Sequence, residues 1–342
     1  MTNTSPFLRR AWYVAAWDHE IAADSLFART VIGEPLLLYR VASGEIVALE
    51  DRCCHRMAPL SKGRREGDCV RCGYHGLKFA SDGRCVEVPG LDEVPAKARV
   101  RRYPVLRHNK WVMVWMGDPD DANPALLPDN FSCDHKDWHY LPGYLHYRAP
   151  WDLIADNLLD FSHLSYVHAA TLGGTDQIAR IRPEVKAIER GIGVSRRVPG
   201  VPSPAYYKPL WDYPGLIDRW IDYTFTLPAT LLMHSGAKPA GAPEDDGGDG
   251  VRFHSCQALT PETSGTTHYF FQESYRSNSA DPSITQAIHA GLLAAFEEDR
   301  AMIAAQYQNI QRHAAAQMLP LAMDAALVQF RRLFEQAVLA QQ

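Results

Sequence analysis

The chain has no run of 18 apolar residues, which excludes the usual helical membrane span. It has no signal-peptide arrangement at Met1–Trp17, where Arg9 and Arg10 lead straight into a strand-like segment. It has no surplus of positive charge: the formal net charge of −5 argues against nucleic acid or an anionic membrane surface as partner. No internal repeat and no credible Gly-rich dinucleotide fingerprint is present. Cysteine is sparse and odd in number, seven in 342 residues, with four crowded between Cys53 and Cys72. That spacing does not suit a disulfide framework and fits metal ligation in a reducing compartment, so a cytoplasmic location is expected. What is abundant is apolar material, 46% of the chain, enough to fill two domain cores.

Two short patterns lie in the first quarter, Cys53-x-His55 and Cys72-x-x-His75, with sixteen residues between them. Each loop offers one thiol and one imidazole. That set suits a mixed Cys/His [2Fe–2S] centre, in which one iron keeps two Cys ligands and the other takes two His. Structural zinc is the competing reading of two Cys and two His. Zinc modules usually pair Cys with Cys and His with His along the chain, and here each loop carries one of each. Cys54 and Cys69 could also join Cys53 and Cys72 in an all-thiolate site, which would leave both histidines without a role. The chain has no plant-type C-x₄-C-x₂-C run.

Along the chain, the first third is β-rich. Trp12–Trp17, Thr30–Ile32, Leu36–Arg40, Ile46–Glu50, Cys69–Cys72 and Trp111–Trp115 read as short strands separated by turn signals such as Ser43-Gly44 and Pro89-Gly90. The segment Gly117–Pro128, rich in Asp, Asn and Pro, reads as a linker. The predicted domains are residues 1–120 and 121–342. The second mixes strands (Gly143–Tyr147, Tyr223–Leu227, His268–Gln272) with helices (Trp151–His168, Ser283–Gln311, Met323–Leu339), and Gly241–Gly250 reads as a solvated loop.

The helix predicted from Trp151 is apolar nearly all round, yet Asn157, Asp160 and His163 recur every three residues and His168 follows five later. Burying an acid and an imidazole without partners costs several kcal/mol. A satisfied buried hydrogen-bond network is one explanation and a metal site the other. On an ideal helix His168 lies about 140° around from His163, so both can face one atom only if the helix is irregular or ends between them. Thr171-Leu172-Gly173-Gly174 offers such an ending. In the later helix the stripe Ile288, Leu292, Ala295, Phe296, Asp299, Ile303 places Asp299 where an apolar residue belongs, while Glu297 and Glu298 fall off the stripe and are expected in solvent. Asp299 either pairs with a cation such as Arg300 or joins His163 and His168 as a two-His-one-carboxylate ligand face for ferrous iron.

Taken together, Asp51-Arg52-Cys53-Cys54-His55-Arg56-Met57-Ala58-Pro59-Leu60, Cys72-Gly73-Tyr74-His75-Gly76-Leu77 and Asn157-Leu158-Leu159-Asp160-Phe161-Ser162-His163 with His168 resemble the oxygenase component of Rieske non-haem iron oxygenases. Within them the chain is most similar to the branch containing vanillate O-demethylase, dicamba O-demethylase and toluenesulfonate methyl-monooxygenase. The likeness runs from Trp12-Tyr13-Val14-Ala15 to Glu298-Asp299. Cys54 stands where many relatives have Pro, which touches no ligand. Leu77 stands where ring-hydroxylating dioxygenases commonly have Trp, which favours the demethylase-like branch.

The resemblance implies an α+β chain: an N-terminal all-β Rieske [2Fe–2S] domain followed by a helix-grip catalytic domain, an antiparallel sheet with long helices, holding mononuclear non-haem Fe(II). It implies that Asp160 binds no iron but bridges a cluster histidine of a neighbouring subunit to His163, in a homotrimer with inter-subunit electron transfer. It also implies a separate NADH-dependent reductase carrying flavin and an iron–sulfur centre, and oxidation of a methyl or methoxy group of a small aromatic acid or sulfonate with O₂. Ring dihydroxylation uses the same ligands, and a non-enzymatic electron carrier or zinc scaffold is the remaining alternative. By the same resemblance Met233, His234, His254, Gln257 and Phe271 fall in segments that line substrate. A substrate anion would call for a buried cation, with Arg196, Arg219, Lys238 and Arg252 as candidates.

Overall fold

The computed structural model describes residues 7–173, 175–243, 249–276 and 281–341. Its contacts divide into two compact units, one of Ser5–Leu127 with Thr260–Ser264, the other of Pro128–Leu259 with Gly265–Gln342.

The first unit is built from strands. Trp12–Trp17, Trp111–Trp115 and Val105–His108 form one antiparallel sheet, and Phe27–Val31, Glu34–Arg40, Ile46–Glu50 and Arg102–Tyr103 form a second. A third, of Arg64–Glu66, Cys69–Arg71, Lys78–Phe79 and Cys85–Glu87, carries the second Cys/His loop at its centre. Trp12–Trp17 and Trp111–Trp115 are buried on both faces, which is why they read as continuous apolar runs. Cys53 and Cys72 lie in one buried cluster with Leu37, Leu49, Leu60, Val70 and Phe79. The linker is ordered as two 3₁₀ turns, Pro119–Asp121 and Pro124–Leu126, each opened by a proline and capped by the side chain before it, Asp118 or Asn123.

The second unit is an antiparallel sheet with helices. Strand order is Trp138–His139, Thr266–Arg276, Val251–Thr263, Thr230–Pro239, Leu216–Thr226, Gly191–Pro202, Glu184–Ile188, and Gly143–Tyr147 also pairs with Thr266–Arg276. Helix α1, Trp151–Leu159, and the short α2, Asp176–Arg180, come first in the chain; the 31-residue α3, Pro282–Arg312, packs against Gly143–Tyr147 and Thr266–Arg276, and α4, Ala325–Leu339, packs against Gly191–Pro202. Helix α3 begins on Asp281, whose side chain accepts the Ser283 N–H, with Pro282 at the first helical position. Its buried residues are Ile288, Leu292, Ala295, Phe296, Asp299 and Ile303, the stripe expected from the sequence.

One predicted helix is shorter than expected. Helix α1 spans Trp151–Leu159, not Trp151–His168, and Asp160 turns extended (φ −130°, ψ 93°). The Asp160 carboxylate then caps a separate 3₁₀ turn, Phe161–Ser165, accepting the Ser162 N–H at 2.9 Å and the Ser162 hydroxyl at 2.7 Å. The helix ends before both histidines, so the 100° step no longer applies to them. Gly174 and Glu244–Gly248, part of the expected helix ending and of the expected solvated loop, lie outside the described residues.

Candidate metal centres

The two Cys/His loops are built alike. The Cys53 N–H donates to the Ala58 carbonyl at 2.8 Å and the Met57 N–H returns to the Cys53 carbonyl at 2.9 Å; Cys72 repeats this with Leu77 (2.8 Å) and Gly76 (3.2 Å). The residue four past each cysteine takes the left-handed conformation, Met57 at φ 58° and Gly76 at φ 75°. Gly73 has no room for a side chain, since a Cβ there would sit 2.8 Å from the Lys62 carbonyl oxygen. The thiols point inward and the imidazoles outward: Cys53 and Cys72 are each 2% exposed, while His55 and His75 lie on the surface.

The four side chains form two pairs. The Cys53 and Cys72 thiols are within hydrogen-bond reach of each other, and burial together with that neighbour pushes the Cys53 thiol up to about 11. The His55 and His75 rings lie with centroids 4.5 Å apart. Burial and the neighbouring His55 lower the His75 pKa. A single zinc ion, bound at roughly 2.0 to 2.3 Å, would draw all four donor atoms within about 4 Å of one another. Among the described residues the only groups of three or more candidate ligand atoms within 4.8 Å of one another are those of a different site. Two separated pairs, one of sulfur and one of nitrogen, match a binuclear cluster between them. Cys54 is exposed and Cys69 half-buried, apart from this arrangement.

That different site is His163, His168 and Asp299. Nε2 of His168 lies 3.1 Å and Nε2 of His163 3.5 Å from the same Asp299 oxygen, Oδ1. Both rings are turned to present Nε2 because each Nδ1–H is held by an acceptor. His163 Nδ1 donates to the Asp160 carbonyl at 2.6 Å, and His168 Nδ1 donates to Glu298 Oε2 at 2.8 Å. This is the arrangement that fixes the tautomer and aim of a metal-binding imidazole. Burial lowers the His163 pKa, against the pull of Asp299. Burial also disfavours the charged form of His168, but hydrogen bonds and charge from Asp299 and Glu298 outweigh it and the pKa is raised. Asn157 Nδ2 donates to Asp299 Oδ1 at 3.0 Å, fixing the carboxylate. A facial set of two imidazoles and one carboxylate, with other positions open, is the donor chemistry of non-haem iron.

Asp160 acts here through its backbone carbonyl on His163, while its carboxylate holds Ser162. Glu298, expected in solvent from the helical wheel, instead accepts from His168 and from the Thr171 hydroxyl, both at 2.8 Å. The signal for Glu298 is its place beside Asp299; its distance from the apolar stripe of its own helix hides that role, because the partner His168 comes from a turn outside that helix.

The triad opens on a cavity whose other wall is the sheet. Met233 and Gln257 line it; His234 and His254 do not, and line a separate concavity on the opposite face with Phe131 and Asp222. Strand alternation explains the split: Met233, Ser255 and Gln257 share one face and His234 and His254 the other. His254 bonds Ser132 there at 2.9 Å, and burial with His234 nearby lowers its pKa to about 4. Phe271 lines neither, its ring packing on Phe296 and His289. Of the four candidate cations, Arg219 lines the triad's cavity. Arg196 is buried on the Ile178 carbonyl, and Lys238 and Arg252 line a groove with Arg197 and Asp222.

A two-pair Cys/His loop module followed by a sheet-and-helix domain with a His/His/Asp centre defines the Rieske-type non-haem iron oxygenase class. The model of the Rieske [2Fe–2S] domain matches residues 11–104, and that of the vanillate O-demethylase oxygenase C-terminal domain matches residues 147–340. The toluene-4-sulfonate monooxygenase system iron–sulfur subunit of Comamonas testosteroni is 44% identical over 98% of both chains. The dicamba O-demethylase oxygenase component of Stenotrophomonas maltophilia is 34% identical over 87% of this chain and 88% of that one. A crystal structure of dicamba monooxygenase bound to 3,6-dichlorosalicylic acid superposes with a TM-score of 0.91 at 31% identity, covering 98% of each chain. The chain therefore belongs to the vanillate O-demethylase family of Rieske oxygenase components. Its cofactors are a Rieske [2Fe–2S] cluster and a mononuclear non-haem iron, and as a component of such a system it works with a separate reductase on an aromatic substrate.

Proposed function

We propose that this chain is the terminal oxygenase of a Rieske system that hydroxylates a methyl or methoxy carbon of an aromatic acid or sulfonate, using O₂ and electrons from an NADH-dependent reductase carrying flavin and an iron–sulfur centre. The observation that carries the reading is the convergence of His163 Nε2, His168 Nε2 and Asp299 Oδ1 at the edge of a cavity also lined by Leu158, Phe161 and Met233. When bound, the cluster supplies single electrons and the ferrous ion activates O₂.

In this reading Cys53, His55, Cys72 and His75 hold the cluster, and His163, His168 and Asp299 hold the iron. Asn157 orients the Asp299 carboxylate, and the apolar wall keeps bulk water from the reacting carbon. Asp160 fixes His163 through its carbonyl and offers its half-buried carboxylate to a cluster histidine of a neighbouring copy in a homotrimer. Met233 and Gln257 contact substrate. The absence of a disulfide among the seven cysteines supports a reducing, cytoplasmic setting, and no helix among the described residues is long and apolar enough to cross a membrane.

The test is turnover of a panel of methyl- and methoxy-substituted arenesulfonates and arenecarboxylates with a surrogate reductase. Asp299→Ala is expected to keep the visible cluster spectrum and lose the mononuclear iron and all turnover. Oxygenation at ring carbons only would overturn the reading of methyl oxidation.

A further inference from the structure

The sheet wall of the triad's cavity carries two ionisable side chains, Arg219 and Glu273, that have no ion-pair partner among the described residues. Arg219 is 4% exposed, and Glu273 is 7% exposed. Arg219 Nη1 donates to the Gly173 carbonyl at 3.2 Å, and its guanidinium lies 5.4 Å from the centre of the Tyr207 ring. Its Nε is buried without a hydrogen-bond partner, and among the described residues no carboxylate lies within ion-pair distance of it. On the neighbouring wall, Glu273 Oε1 accepts the Ser255 hydroxyl at 3.1 Å, while Oε2 is buried and unpartnered. Arg219, Ser255 and Glu273 all line the cavity, on strands facing the helical segments that carry His163, His168 and Asp299.

A buried guanidinium with only uncharged partners has lost its hydration without regaining it from an anion. Glu273 supplies no full counter-charge. Burial raises it to about 7, against the pull of Ser255 and Arg219, so near neutrality a large share is the neutral acid. A neutral carboxyl group has an O–H to donate, and the free Oε2 is the atom to carry it. The cavity wall thus offers a fixed cation with an unpartnered Nε and no anionic acceptor, and a further polar atom, Glu273 Oε2, also without a partner. That is the complement of a sulfonate or carboxylate group, for which a planar guanidinium is well shaped.

We infer that Arg219, with the unpartnered Oε2 of Glu273 on the same cavity, is the specificity site that takes the anionic head group of the substrate and so leaves the far end of the aromatic ring to face the His163, His168 and Asp299 centre. The inference rests on the proposed substrate class and deepens it. It makes Arg219 a binding residue of the reaction and excludes neutral arenes as good substrates by leaving the buried cation unmatched.

The test is calorimetric titration of the iron-loaded holoenzyme with 4-methylbenzenesulfonate and with its neutral analogue 4-methylbenzenesulfonamide. Arg219→Met is expected to weaken sulfonate binding ~10- to 100-fold while moving sulfonamide binding less than ~3-fold. Arg219→Lys, which keeps the charge and tests the point should the Met variant fold poorly, is expected to lose only part of the sulfonate affinity and none for the sulfonamide. Glu273→Gln, which replaces the acid O–H by an amide N–H, is expected to keep sulfonate affinity within ~3-fold. Equal weakening of both ligands in the Arg219 variants, or weakening of neither, overturns the inference, and so does a large loss of sulfonate affinity in Glu273→Gln. Wild-type protein that binds the sulfonamide but not the sulfonate overturns the anion site alone; wild-type protein that binds neither overturns the substrate class as well.

Discussion

Glu298 is the residue whose removal most sharply separates a designed metal centre from a chance cluster. Its Oε2 receives both the His168 Nδ1–H and the Thr171 hydroxyl at 2.8 Å, and so aims Nε2 of His168 at Asp299. Glu298→Leu deletes that acceptor and leaves an imidazole N–H in a residue 1% exposed without a partner, at a cost of about 1–3 kcal/mol. Loss of an acceptor behind a metal-binding histidine typically weakens metal affinity ~10- to 100-fold, or ~1.4 to 2.8 kcal/mol. The Glu298 side chain is itself 36% exposed, so water can partly replace it, and the lower end, about tenfold, is expected. Glu298→Gln, which keeps an acceptor without charge, should fall between. The assay is competition for the mononuclear iron against a ferrous chelator, with the visible cluster spectrum as internal control. Iron affinity in Glu298→Leu within twofold of wild type would refute the reasoning.

Other consequences are open to direct measurement. Asn157→Ala removes the donor to Asp299 Oδ1 and is expected to lower iron affinity by about 1–2 kcal/mol with the cluster intact, read in the same competition. Gly73→Val would drive a side chain into the Lys62 carbonyl, so the purified variant is expected to carry less acid-labile sulfide than wild type while retaining mononuclear iron. His254 has its folded pKa lowered to about 4 by burial and by His234. The unfolded chain therefore binds more protons between pH 6.5 and 4, and stability must fall as pH drops through that window, by at most ~1.4 kcal/mol per pH unit. His254→Asn should flatten the decline, measured as urea midpoints at pH 5.5 and 7.

Most of the architecture could be read from periodicity because the elements that matter are strongly patterned. Trp12–Trp17, Ile46–Glu50, Trp111–Trp115 and Gly143–Tyr147 lie where the sequence places them. Asp299 announced itself by interrupting an apolar stripe, since an unpaired buried acid is costly. The end of α1 was missed because Leu158, Leu159, Phe161 and Leu164 continue an apolar pattern that hides the Asp160–Ser162 cap. Of the long strand Leu216–Thr226 the sequence shows only the end from Tyr223, because Asp218, Arg219 and Asp222 interrupt the apolar alternation before it, and Thr230–Pro239 was not read as a strand at all. The separation of His234 from Met233 depends on which face of a strand meets α3, and a one-residue change of face decides it. Glu298 escaped for the converse reason: its partner His168 is held by a turn whose position only tertiary structure determines.

Metal and sulfide analysis of anaerobically purified protein tests most directly whether one chain builds both centres. The account predicts about three iron atoms and two acid-labile sulfides per chain, falling to about two irons with unchanged sulfide in Asp299→Ala. Protein that carried zinc without sulfide, or an Asp299→Ala variant that kept the full complement of iron, would contradict it.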